Sequence, residues 1–439
     1  MFRAHTLLLG AIALVYALTY QWCLVPIYAY QGMRPLEMDT EFWGFYAFVI
    51  GCLGCIFPAK IKHPSDFFLF FYCIISVLWL SVAWSATDYG TSDRKWMLFA
   101  VMFIPALFLV AARRAALGIL GRFVMPLQLG REAYLPFVLV LLLITGAALA
   151  FTTIGGGSLN WEEMYVRRHA ARAAFSDNLT AAYFTGMATN GALPILGFIA
   201  GYRRSASLMF LCILFILLMF FLIGLKSPAI NFAGLGTLGF MLSSRNLRPN
   251  LVVYLLIAVL GVYLTGLLVY LQSGNLFIAD YLVRRISMLQ PQIQSFYLDY
   301  WLSRGSDNNA WSAAGAFSDL TYHMGYRYMG NPDANLNTNT FIYALAKGGF
   351  GSYLFTIVGV VSVLLTLDVF YGKTRKPAFL ALAALFSVLV SEQVWTTSLV
   401  TSGIALCIFL AMLFSYGTET RALRSGGDER TLSGSSEGT

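Results

Sequence analysis

The sequence predicts an all-α, polytopic integral membrane protein, and three observations carry that expectation. Hydrophobic residues make up 58% of the chain and charged ones only 11%, where a soluble domain carries roughly a quarter charged. Mean hydropathy is +0.70. Apolar runs long enough to cross a bilayer as helices, about 20 residues each, recur along the whole length, whereas a membrane barrel would show short alternating segments.

About twelve spans follow from these runs. They fall near 6–28, 42–59, 67–86, 96–112, 135–152, 181–201, 206–225, 228–243, 250–272, 347–371, 378–396 and 398–415. The first run, Leu7 to Val25, continues past the length of a signal-peptide core, and no small-residue cleavage site follows it, so it reads as a retained helix. The first nine spans form a membrane domain over 1–272, and the last three form a second membrane part over 341–416. Between them, 273–340 is a long polar loop. The tail over 417–439 ends in Gly and Ser and is expected to be disordered. No internal repeat suggests inverted halves.

Charge sets the topology. Lys60 and Lys62; Arg113, Arg114, Arg122 and Arg131; Arg203 and Arg204; Arg245 and Arg248; and Lys373, Arg375 and Lys376 fall on alternate connections, on the same side as Arg3 and the tail arginines Arg421, Arg424 and Arg430. The positive-inside rule makes that side cytoplasmic, with both termini there. The net charge of +8 is therefore a matter of orientation and not a nucleic-acid footprint.

All six cysteines lie in apolar runs, which argues against a disulfide framework. The pair Cys52 and Cys55 has redox spacing, but its apolar surroundings on a spanning helix favour packing.

Basic residues on the opposite, trans side run against the charge bias and need a reason. They cluster as Arg167, Arg168 and Arg172 after the fifth span, Lys226 in a very short turn between two spans, and Arg284, Arg285, Arg304 and Arg327 in the long loop. Guanidinium forks suit a phosphate or diphosphate, because each gives two charge-assisted hydrogen bonds and stays charged at any working pH. The alternative is that these arginines snorkel to headgroups or pair with Glu162, Glu163, Asp280 and Asp299. The stretch Ile278 to Leu302 reads as one or two amphipathic helices lying at the membrane surface and kinked at Pro291, with Ile286, Met288, Leu289, Ile293, Phe296 and Leu298 on the apolar side. Beyond it, Trp301, Asn308, Asn309, Trp311, Tyr322, Tyr326, Tyr328, Asn335, Asn337 and Asn339 are the residue types that stack on sugars and bond hydroxyls. An interfacial aromatic belt would use the same residues.

The order of these motifs carries a resemblance. Tyr165-Val166-Arg167-Arg168, then Lys226-Ser227, then Arg284-Arg285-Ile286 leading into Tyr297-Leu298-Asp299-Tyr300, then Asn337-Thr338-Asn339-Thr340-Phe341 and Lys347-Gly348-Gly349-Phe350-Gly351 resembles the Wzy-type repeat-unit polymerases of bacterial O-antigen and exopolysaccharide pathways. It covers roughly residues 160–355.

The resemblance implies a metal-independent, GT-C-like glycosyltransferase of the bacterial inner membrane. Such an enzyme joins undecaprenyl-diphosphate-linked oligosaccharides on the periplasmic face, with no cofactor. Arg167, Arg284 and Arg285, with Lys226, would neutralise the departing diphosphate. Tyr165, Arg168, Tyr297, Arg327, Asn337 and Asn339 would bind substrate, and His323 and Asp299 are further catalytic candidates. The proton acceptor stays open among His323, Asp319, Asp299, Glu163 and Glu392. Expected partners are membrane lipid, a flippase and a chain-length regulator, with no nucleic acid.

Two other enzyme readings compete. An O-antigen ligase would use the same fold and arginines, but its relatives carry a histidine motif where this chain has asparagines. A metal-dependent transferase would use the acidic triplet Glu37, Asp39 and Glu41, but the favoured reading is that Asp39 or Thr40 caps the second helix with the other acids in its first turn. From another class, a lipid or oligosaccharide transporter would place ionisable groups at mid-membrane depth on several helices, and these spans carry Lys347, Asp368 and Glu392 only near their ends.

Overall fold

Helices form wherever the apolar runs lie, and no strand interrupts them among the described residues. The computed structural model describes residues 4–29, 33–84, 92–123, 134–303 and 319–414. The tail over 417–439 lies outside the described residues, with Arg3, Arg131, Arg304, Asn308, Asn309 and Trp311.

In chain order the helices are α1 (Ala4–Tyr28), α2 (Thr40–Ile56), α3 (Ser65–Ala83), α4 (Ser92–Phe123), α5 (Tyr134–Ile154), α6 (Met164–Ser176), α7 (179–203), α8 (Ala206–Ile223), α9 (Ser227–Ser243) and α10 (Leu251–Ser273). The polar region contributes α11 (Ala279–Leu289), α12 (Gln290–Ser303) and α13 (Leu320–Met329). Then follow α14 (Thr340–Thr374), α15 (Ala378–Glu392), α16 (Trp395–Leu399) and α17 (Ile404–Leu413). Seven of them, α1, α3, α4, α5, α8, α10 and α14, are long and apolar enough to cross a membrane. Helices α2, α15 and α17 are apolar but shorter.

Proline shapes several of these helices. The wide π-turns at Tyr20–Leu24, Met187–Ala192 and Ala279–Leu289 each run into an X-Pro pair, Val25-Pro26, Leu193-Pro194 and Gln290-Pro291. A proline cannot donate to the carbonyl one turn back, and widening the turn relieves the misfit. A further π-turn among the described residues, Cys73–Leu78, has no such proline.

Packing between the helices fixes their arrangement. Helices α7 and α9 meet backbone to backbone: a Cβ on Gly201 would lie 2.0 Å from the Gly236 carbonyl oxygen, so only glycine allows the approach. Helix α1 packs along α10, α4 along α14, and α3 along α15. Asp368 of α14 accepts hydrogen bonds from the Ser65 amide at 2.8 Å and from its hydroxyl at 2.6 Å, tying α14 to the start of α3. Beside it, Asp66 is paired with Arg113 at 2.5 Å.

Two parts of the polar region differ from expectation. Helix α12 does not lie on a surface: Pro291, Gln292, Ile293, Gln294, Phe296, Tyr297, Leu298 and Tyr300 are all buried, because the helix wedges against α14, α3 and α4. Helix α14 begins at Thr340 and not at 347, since the Asn339 side chain caps it by accepting from the Phe341 amide at 2.9 Å. It is broken at Gly348 and Gly349, where Gly349 takes a left-handed φ of +68° that glycine alone adopts without strain.

Candidate active site

Helix α11 carries the paired arginines, and aromatic packing beneath it decides where each points. Trp79 of α3 stacks on Tyr263 of α10 at 5.0 Å, and Tyr16 of α1 meets Trp79 edge-on at 5.4 Å. Tyr263 is hydrogen-bonded to Ser287, and the Tyr16 hydroxyl donates to the Met288 sulfur at 3.5 Å. With Val283, Ser287 and Met288 buried against this cluster, the rest of α11 turns away from it.

Arg284 and Arg285 then part company. Arg284 is paired with Asp280, whose carboxylate also accepts from the Tyr28 hydroxyl at 2.7 Å, and its guanidinium lies 4.4 Å from the centre of the Tyr28 ring. Burial pushes the Asp280 carboxyl up, but the hydrogen bonds from Tyr28 and Arg284 and the charges of both arginines outweigh it and hold its pKa below the usual value. Arg285 makes no hydrogen bond or ion pair among the described residues; its guanidinium lies 5.1 Å from the Tyr281 ring and lines a slot of about 820 Å³.

That slot is apolar along most of its wall. Ile230, Ala233, Gly234, Leu235 and Leu238 of α9 face Phe71 and Ile75 of α3, Leu255 of α10, Ile286 of α11, and Leu385 and Val388 of α15. Polar lining comes from Asn231, Thr237, Arg285, Gln290, Asn337 and Glu392. Asn231 stands near the start of α9 and Glu392 ends α15, so these two mark a polar end, while Thr237 lies beside Leu238 at the other end of the α9 wall. From Ile230 to Leu238 the wall extends about 12 Å at the helical rise.

Two more cations, outside the slot's lining, stand near enough to Arg285 to feel its charge. Lys226 immediately precedes α9, with its ammonium 3.5 Å from the Trp161 ring. Burial lowers its pKa, and the charges of Arg168 and Arg285 lower it further against an opposing contribution of Tyr165. Arg168 donates to the Gly224 carbonyl at 3.1 Å and lies 5.5 Å from the Tyr165 ring. Its pKa is lowered by burial and by Arg172 and Arg285, against Tyr165. The charges of Arg168 and Arg285 thus act on Lys226, a repulsion that a bound anion would relieve.

The remaining expected residues go elsewhere. Arg167 is buried, donates to the Asn160 carbonyl at 2.8 Å, stands 3.9 Å from Glu163 and packs on Phe220. The two oxygens of Asp299 are engaged separately, by Arg94 at 2.5 Å and by the Tyr328 hydroxyl at 2.7 Å. Tyr297 is buried and donates to the Leu336 carbonyl. His323 packs edge-on to Tyr300 at 5.5 Å, and Arg327 donates to Ser303 at 3.1 Å. Asn339 is buried, donating to Ser76 at 2.9 Å, while Asn337 lines the slot.

Sequence reasoning missed Asn231, Thr237 and Gln290. The first two had a signal, since polar side chains inside an apolar span are costly and functional by default. Gln290 keeps a buried amide oxygen with no hydrogen-bond partner in the slot wall, which no spacing rule discloses. Of the acidic triplet, Asp39 accepts from the Phe42 amide at 2.8 Å and Glu41 is paired with Lys95, so two of its three carboxylates serve packing. Among the described residues no group of three or more His, Cys, Asp and Glu could hold a metal.

An apolar slot with cations at one end can hold an amphiphile with an anionic head. Comparisons with protein families, curated proteins and solved structures find no match to this chain.

Proposed function

We propose that this chain is a membrane glycosyltransferase that polymerises undecaprenyl-diphosphate-linked oligosaccharide repeat units, of the Wzy type, on the periplasmic face of the bacterial inner membrane. One observation carries the reading: Arg285 lines the polar end of an apolar slot, with Lys226 and Arg168 beside it. In this reading the seven long helices, together with those at 40–56, 179–203, 227–243, 378–392 and 404–413, make twelve crossings with both termini cytoplasmic. The polar end of the slot then faces the periplasm.

The chemistry follows from charge. The polyprenyl chain lies along α9, where hydrocarbon meets hydrocarbon. The diphosphate lies among Arg285, Lys226 and Arg168, whose mutual repulsion it relieves. When the bond from the sugar's anomeric carbon to the diphosphate breaks, negative charge grows on the leaving oxygen. Fixed cations aimed at that oxygen stabilise the transition state more than the ground state.

The test is reconstitution. Purified protein in lipid vesicles, given a synthetic polyprenyl-diphosphate oligosaccharide and no nucleotide sugar, should lengthen the glycan by whole repeat units. A strict requirement for a nucleotide sugar, or movement of the lipid across the bilayer without chain growth, sinks the reading.

A further inference from the structure

Sugar transfer needs a proton acceptor at the attacking hydroxyl as well as cations at the leaving group, and the slot offers one. Of His323, Asp319, Asp299, Glu163 and Glu392, it is Glu392 that lines the slot. Asp299 has both oxygens engaged. Asp319 caps α13 and accepts from the Tyr343 hydroxyl at 3.1 Å. Glu163 faces Arg167, and His323 packs against Tyr300. The Glu392 carboxylate makes no hydrogen bond or ion pair among the described residues, and the residue stands exposed where it lines the slot.

The backbone that follows Glu392 is tied down. The chain leaves α15 in an extended conformation at Gln393, whose side-chain amide donates to Ser398 at 3.1 Å and to Ser402 at 3.0 Å. Two residues on, the Trp395 amide donates to the Thr340 hydroxyl at 2.9 Å. That bond holds the end of α15 against the start of α14, next to the segment that brings Asn337 into the same slot. A carboxylate and an asparagine on one wall can hold a sugar hydroxyl and take its proton.

Resting on the polymerase reading, we propose that Glu392 is the general base, taking the proton from the acceptor sugar's attacking hydroxyl. The hydroxyl oxygen forms the new bond to the anomeric carbon of the donor, and the bond from that carbon to the diphosphate oxygen breaks. Its electron pair leaves with the lipid diphosphate toward Arg285, and the hydroxyl proton passes to the Glu392 carboxylate.

The experiment uses the full-length protein in vesicles with the synthetic lipid-diphosphate oligosaccharide. Glu392→Gln should lower the rate of chain growth by about 10²- to 10⁴-fold, the span of a lost general base, while binding of the lipid diphosphate stays at the wild-type level. Glu392→Ala should regain rate on addition of formate, which a purely structural role would not allow. A wild-type rate and pH profile in Glu392→Gln overturns the assignment, as does a folded Glu392→Ala that binds substrate but ignores formate. Should Glu392→Gln fail to insert, Glu392→Asp decides: a base withdrawn by one methylene predicts a partial rate with a shifted acid limb, and full wild-type behaviour overturns it. If wild-type protein itself makes no polymer, the polymerase reading fails, a result distinct from wild-type growth that Glu392→Gln leaves intact.

Discussion

Arg284 and Arg285 are neighbours in the chain and part in the fold: the first closes on Asp280 and the Tyr28 ring, while the second opens onto the apolar slot. Their substitutions should therefore separate. Arg285→Ala is expected to weaken binding of a lipid diphosphate at least about tenfold, the scale of one lost charge-assisted contact, with thermal unfolding in detergent unchanged. Arg284→Ala should lower stability by about 1–3 kcal/mol, because it strips a half-buried carboxylate of its cation. Asp280 also fixes the sign with pH. Its folded pKa is held below the usual value, so its stabilisation is present above the unfolded aspartate pKa of about 4 and drains away as pH falls through the lower folded one. Arg284→Ala should flatten that acid limb; equal loss of binding in both variants, with equal stability, contradicts the division.

Much of the fold was legible because hydropathy is a property of windows, and windows survive ignorance of packing. The apolar runs at 206–225 and 250–272 correspond to α8 and α10 within two residues. The site was legible only as a set of residue types. Arg167 and Arg168 are equally basic, yet Phe220 and Asn160 draw the first inward while the Gly224 carbonyl holds the second near Lys226. Nothing local distinguishes them. The burial of α12 was equally hidden, since its Gln292, Gln294 and Asp299 read as a wet face while α14 and Arg94 come from far along the chain.

Lys226 predicts an alkaline limit on binding. Its cation is disfavoured by burial and then by Arg168 and Arg285, so it gives up its proton below the usual lysine value of 10.5. As pH rises through that lowered pKa the site loses a positive charge, and binding of the diphosphate should fall. Lys226→Arg should abolish this limb by staying charged, and Arg168→Ala should move it to higher pH. Calorimetric or fluorescence titration of a polyprenyl diphosphate across the alkaline range reads both shifts. An identical limb in Lys226→Arg would assign the titration to another group.

Asn337 and Asn339 are two residues apart and should answer mutation in opposite ways. Asn339 caps α14 and donates to Ser76 in a buried setting. Replacing it with Ala should cost about 1–3 kcal/mol, the sum of a lost cap and a buried hydrogen bond, and lower the unfolding temperature. Asn337 reaches the slot and has no such duty, so Asn337→Ala should leave unfolding unchanged and raise KM for the lipid-linked oligosaccharide. Unfolding midpoints and steady-state kinetics on the same preparations compare them; a destabilised Asn337→Ala would place that side chain in packing.

Gly234 gives the sharpest test of the slot itself. It lines the apolar wall, and a Cβ built there meets no atom within 4 Å, so space and not packing surrounds it. Gly234→Ala should then be neutral or stabilising by up to about 1 kcal/mol, the gain of alanine over glycine within a helix. Gly234→Phe should project its ring into the slot. If the slot holds the polyprenyl chain, that variant loses chain growth from a long-tailed donor but keeps a measurable rate with one whose tail is a single isoprene unit, because the cations at the polar end are untouched. Equal loss with both donors would mean that the phenylalanine disturbs the head-group site, and equal retention would mean that the tail lies along another face of the protein.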